Sequence, residues 1–211
     1  MSEEITVYTI FKDLVSLGCT IAVAYFAKRG LDTWREQLRG THEFGLAKEV
    51  LTFLYQYRNA FNFVRMPSIG IHEIEEAKNN LTNEQRDQHF YQRVKVYESR
   101  LANLRELQAK IQSHLVQSEV VWGAEFIKKV DAIWSLQYDL DELVFFYMEM
   151  QNPAIEPSVR DSYRVDYNSK AYTIYCGPKD TDALKESILQ AVNVIDHQLR
   201  RSITGKSCAF Q

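Results

Sequence analysis

The sequence predicts an all-α protein: an N-terminal membrane helix, then an antiparallel helical bundle, with a small β-prone insertion before the last helix. Three observations carry this reading. Apolar residues recur at spacings of three and four, the period of a helix face, along most of the 211 residues. Only 8 Gly and 4 Pro punctuate the chain, too few for many short strands joined by turns. From Phe11 to Gly40 the run FKDLVSLGCTIAVAYFAKRGLDTWREQLRG holds an apolar centre about one helix long.

The first element, about Thr6 to Arg39, is apolar in its middle and amphipathic after Lys28. Leu14–Ala27 supplies 14 uncharged residues, about 21 Å of helix, where a membrane span takes roughly 20 residues. Thr6–Phe11 lengthens it and leaves Lys12 and Asp13 inside, at about 3 kcal/mol each if they sit at the centre. A hydrocarbon boundary at Phe11 or Lys12 removes most of that cost, because lysine near an end snorkels. Lys28 and Arg29 mark the other boundary, with Trp34 as an interfacial aromatic beyond it. Basic residues follow the apolar run and Glu3 and Glu4 precede it, so the positive-inside rule places a single-pass protein in the inner membrane with its C-terminal domain in the cytoplasm. Gly18 and Ala22 form a small-xxx-small pair through which such helices pack. The competing reading is a helix buried by its own domain, with Lys12 and Asp13 at its exposed end.

Residues 1–40 are therefore expected to form an anchor and basic junction, and residues 41–211 a helical bundle domain. In that domain, Leu46, Val50, Leu54, Tyr57, Phe61 and Val64 predict a helix over 44–64 that Pro67 closes. Asn83 to Gln117 contains neither Pro nor Gly, and Phe90, Val94, Tyr97, Leu101, Leu104, Gln108, Ile111 and Leu115 form the narrow seam of bundle or coiled-coil packing. Ser118 is a candidate cap for a further helix over 119–149, whose wide apolar face marks it as the most buried. Within 150–180, YRVDY and AYTIY are β-prone runs that read either as a small hairpin or as a connector. Leu184, Ile188, Val192, Ile195 and Leu199 predict a last helix over 182–202.

At GLDTWREQLRG, followed by LAKEVLTFLYQYRNAFNFVRMP, the chain is similar to a group of uncharacterised bacterial proteins with an N-terminal transmembrane helix and a helical cytoplasmic body. The shared features are a Trp-x-x-Gln-Leu-x-Gly junction, here Trp34, Gln37, Leu38 and Gly40, and an Arg-x-Pro helix end, here Arg65 and Pro67. The resemblance covers about half of the chain; it implies a membrane-anchored helical protein and no particular activity.

No catalytic, cofactor or metal site is expected. His72-Glu73-Ile74-Glu75-Glu76 lacks the second His that a zinc-protease helix needs four residues on. Asp139 and Glu142 share a helix face, but no Glu-x-x-His pair exists to complete a di-metal bundle site. Thr204-Gly-Lys-Ser207 lacks the earlier glycine and the preceding strand of a phosphate loop. Cys208-Ala-Phe-Gln211 matches the outline of a prenylation box, with a poor third residue. Three scattered cysteines suit neither a disulfide framework nor a zinc site, and a net charge of −3 gives no reason to expect nucleic acid. Arg160, Tyr163, Arg164, Tyr167, Lys170 and Tyr172 mix aromatic and basic side chains, a candidate partner surface or a packed cover on the bundle. The function these features imply is a non-enzymatic membrane-anchored scaffold, sensor or membrane effector that self-associates through its first helix and its long 83–117 helix. The alternative is a soluble helical protein-binding module whose first helix is core.

Overall fold

The computed structural model describes residues 2–85, 88–170, 172–175 and 182–204, and of residues 2–15 the backbone alone. Its regular structure is entirely helical: α1 Ser2–Val64, α2 Ile71–Asn79, α3 His89–Trp122, α4 Ala124–Glu149, α5 Pro157–Ser169 and α6 Ala183–Ile203, with no strand among the described residues. The chain divides into two units, Met1–Gly45 and Leu46–Gln211, and α1 contributes to both.

The two helices expected over 6–39 and 44–64 are one. An isolated glycine inside a helix costs about 1 kcal/mol, and no proline accompanies Gly40 to stop it. In the first unit every residue from Ser16 to His42 is exposed. The membrane anchor is not upheld: among the described residues no helix is long and apolar enough to cross a membrane. The uncharged run Leu14–Ala27 is 14 residues, about 21 Å of helix against about 30 Å of hydrocarbon. The inner-membrane single-pass placement, the cytoplasmic assignment that depended on it and the anchored-scaffold or membrane-effector function are corrected with it. Gly18 and Ala22 lose their reading as a membrane packing pair, and Lys28, Arg29 and Trp34 theirs as a boundary. The side chains of Lys12 and Asp13 lie outside the described residues.

The second unit is built around the C-terminal part of α1, where Ala47, Val50, Leu54, Tyr57, Phe61 and Val64 are fully buried. Against this stripe pack Leu104 and Ile111 of α3, Phe126, Val130, Ile133 and Leu140 of α4, and Ile188, Val192, Ile195 and Leu199 of α6. Side-chain pairs fix the directions. Glu49 reaches His114 at 3.7 Å and the carbonyl of Phe63 accepts from Arg100 at 3.3 Å, so α1 and α3 run antiparallel. Gln137 donates to Gln108 at 3.0 Å and Arg93 to Gln151 at 2.9 Å, so α3 and α4 do too. Tyr55 meets Asp196 at 2.5 Å and Arg65 meets Asp182 at 2.6 Å, which sets α6 antiparallel to α1.

Other boundaries differ from the expectation too: α3 starts at His89 and not at Asn83. Ser118 lies inside α3, where its hydroxyl donates to the His114 carbonyl at 2.8 Å, and the break falls at Gly123 instead. Gly123 takes φ +78 and ψ 173, a conformation open almost only to glycine, and this lets α3 end and α4 start with a single residue between them. The β-prone insertion is also corrected: YRVDY is part of α5. A strand would have put Tyr163, Val165 and Tyr167 on one face. The helix instead turns Tyr163 and Tyr167, four apart, toward α4 and leaves Val165 68% exposed. Pro157 in the first turn supplies a φ already suited to a helix.

Candidate functional site

Three arginines gather polar groups where α1 and α4 end and α3 and α6 begin. Arg65 directly follows the last residue of α1 and lies four positions after Phe61, so the end of the helix carries it inward. Its Nη2 donates to Asp182 at 2.6 Å and to the carbonyls of Thr173 and Tyr175 at 3.2 and 3.3 Å, with the Arg65 and Asp182 side chains 0% and 1% exposed. Asp182 also caps α6 by accepting from the Lys185 amide at 3.1 Å. Arg100 clamps the turn after α1: it donates to the carbonyls of Met66 and Ser68 at 2.9 and 2.8 Å and bonds both carboxylate oxygens of Glu73 at 2.8 and 2.9 Å. Glu73 also accepts from the Gly70 amide at 2.8 Å and so starts α2. The Arg100 hydrogen bonds, outweighing burial, hold the Glu73 carboxyl below its ordinary range.

Arg93 lies in a group of tyrosines. It donates to Tyr147, which also accepts from Tyr175, and Tyr97 and Tyr167 each pack against the Tyr147 ring at 6.3 Å. Burial alone would raise Tyr147. Hydrogen bonding to Tyr175 and Gln151 and the charge of Arg93 outweigh it and lower the phenol, while burial and the bond donated to Tyr147 raise Tyr175. Of this pair Tyr147 ionises first.

The residues of the expected partner surface make contacts of their own within the unit. Tyr163 packs edge-on against Phe145 and tilted against Phe146 with centroids 5.9 and 6.2 Å away, Tyr167 accepts from the Ile174 amide at 3.3 Å, and Tyr172 packs on the core. Lys170 bonds Glu142 at 2.7 Å and lies over the Phe146 ring. Four of the six residues thus hold α5 and its following loop onto the rest of the unit. Arg160 and Arg164 are on α5, with Arg164 paired to Asp161 at 2.9 Å. Glu142 is committed to Lys170, and burial together with Glu142 raises its neighbour Asp139. Among the described residues no three His, Cys, Asp or Glu are grouped to hold a metal. The Gly205–Gln211 tail, with most of the phosphate-loop and all of the prenylation outline, lies outside the described residues.

What remains open on the surface is the first unit. Leu17, Ile21, Val23, Tyr25, Phe26, Leu31, Trp34 and Leu38 are each 44–69% exposed along one helix. These side chains make this helical segment rich in exposed apolar surface. Sequence reasoning assigned Leu17, Ile21, Val23, Tyr25 and Phe26 to lipid and Leu31, Trp34 and Leu38 to the basic junction beyond it, and it missed Arg65, Arg93, Arg100 and Asp182. The signal for two of those was legible as an arginine on a buried register: Arg65 four after Phe61 and Arg100 three after Tyr97. Compared with known protein families, characterised proteins and solved structures, the chain matches none.

Proposed function

We propose that the chain is a non-enzymatic helical protein-interaction module: an antiparallel bundle over 46–204, preceded in sequence by a helical segment whose apolar face docks protein. The observation that carries this reading is the unbroken exposure of residues 16–42 with eight large apolar side chains among them. The polar chemistry elsewhere supports it, since Arg65, Arg93, Arg100, Glu142 and Asp182 bond one another's elements and hold the helices together. The first helix is thereby core only from Leu46 onward. The test is a photocrosslinking residue in place of Leu31 in the full chain, expressed in cells. A discrete protein adduct, absent when the same residue replaces Glu36, is the expected result. Irradiated chain without any protein adduct at Leu31 refutes the reading.

A further inference from the structure

We infer that the occupant of this face is a second copy of the chain, packed parallel and in register along a heptad seam from Leu17 to Thr41. The inference rests on the interaction-module reading and names its partner. With Leu17 as an a position, the a residues are Leu17, Ala24, Leu31 and Leu38 and the d residues are Thr20, Ala27, Trp34 and Thr41, a repeat kept for about 36 Å of helix. The register ends where it should: Gly45 and Lys48 take the next a and d positions, and Leu46 and Ala47 enter the core of the second unit.

Three properties of the seam favour a copy of itself. First, its polar members need no water. Thr20 and Thr41 each donate their hydroxyl to the carbonyl four residues back, at 2.8 Å, so that donor is satisfied within the helix when a partner covers it. Second, the charges distinguish the two orientations. The e positions are Ile21, Lys28, Arg35 and His42, and the g positions Val23, Gly30, Gln37 and Phe44. In a parallel pair each e cation meets an uncharged g residue of the other chain. In an antiparallel pair e faces e, and Lys28 and Arg35 repel across the interface. Third, the area is adequate. Leu17, Leu31, Trp34 and Leu38, with Ile21, Val23 and Phe44 beside them, present roughly 600–700 Å² of apolar surface per chain, close to the 800 Å² a partner contributes to a stable interface. A parallel pairing also closes on itself by rotation and leaves no unpaired seam to propagate.

The test uses the full chain with Cys19, Cys176 and Cys208 replaced by Ser, carrying Thr41→Cys at d or Glu36→Cys on the outer face. Sedimentation over a range of concentrations reads the assembly, and mild oxidation reads the register. A concentration-dependent assembly in which Thr41→Cys chains cross-link to each other and Glu36→Cys chains do not is the expected result. Leu31→Asp in the wild-type chain should weaken association by about 100-fold or more while leaving the thermal unfolding of the second unit unchanged. A monomer at every concentration overturns the inference, as does an assembly that Thr41→Cys cannot cross-link or Leu31→Asp does not weaken. A monomer whose Leu31 photoadduct is a different protein overturns the self-pairing alone and leaves the interaction module standing; no adduct to any protein overturns both.

Discussion

Replacing Asp182 tests whether the buried Arg65–Asp182 pair fastens the start of α6 to the end of α1. Asp182 does two things: it neutralises a guanidinium that is fully buried, and it caps α6. Breaking a buried pair from one side leaves the other charge uncompensated, at about 3–5 kcal/mol, and losing an N-cap costs about 1 kcal/mol. Arg65 retains only two neutral carbonyl acceptors, at 3.2 and 3.3 Å, on the same nitrogen. Asp182→Ala should therefore cost about 4–6 kcal/mol, a large share of the 5–15 kcal/mol that holds a domain together, and lower Tm by roughly 8–24 °C. Asp182→Asn separates the two roles, since asparagine caps as well as aspartate but carries no charge; it should fall short of the alanine variant by about 1 kcal/mol. Arg65→Met strands Asp182 in turn. The double variant Arg65→Met with Asp182→Ala removes both charges and should be less destabilised than the two single costs added together by about 2–4 kcal/mol. Urea unfolding followed by circular dichroism measures all four. An Asp182→Asn chain within about 1 kcal/mol of wild type, or single costs that simply add in the double variant, would show that the pair is not coupled and that the argument from burial is mistaken.

Tyr57 is buried with its phenol raised, by burial first and by Asp141 second, from an ordinary value of 10.0. Above pH 10 the unfolded chain releases that proton and the folded chain keeps it, so stability falls by about 1.4 kcal/mol per pH unit for this one group. Tyr57→Phe should remove one proton's worth of that slope in unfolding measured from pH 10 to 12, even though it loses the 2.8 Å bond to Gln137. At acid pH Glu73 acts in the other sense. Its depressed carboxyl contributes stability that is complete above its ordinary value of 4.5 and is lost as pH falls through its lower folded value. Glu73→Gln should flatten the acid limb, cost about 1–3 kcal/mol at neutral pH and speed amide exchange in α2. Gly123→Ala should cost about 1–3 kcal/mol by thermal unfolding. Nothing lies within 4 Å of an added Cβ, so the whole effect is backbone strain from φ +78, and a cost below about 0.5 kcal/mol would contradict that conformation.

How much of this was legible in the sequence depends on the range of each interaction. The helices were readable because a helix face is a local property: Val50, Leu54, Tyr57, Phe61 and Val64 repeat within one segment, and all are buried. Where local signals competed, reading failed. YRVDY has β-prone residues at alternate positions, and only contact with Phe145 and Phe146 on another helix selects the period of four that partly covers Tyr163 and exposes Val165. Arg65 and Asp182 are 117 positions apart, and no periodicity links them; the arginine's place on a buried register shows that it must find a partner but not which one. The first unit failed for a different reason. From Leu17 to Ala27 the helix is apolar on every side, and composition without a preferred face is what lipid also selects. The face is defined only downstream, where Lys28, Arg29, Asp32, Arg35, Glu36 and Arg39 surround Leu31, Trp34 and Leu38 and leave a single apolar line. Traced back at intervals of seven and three, that line runs through Ala27, Ala24, Thr20 and Leu17, so the charged half of the segment assigns a direction to the uncharged half. A hydrocarbon layer would not need the line to continue in step, whereas a second helix would.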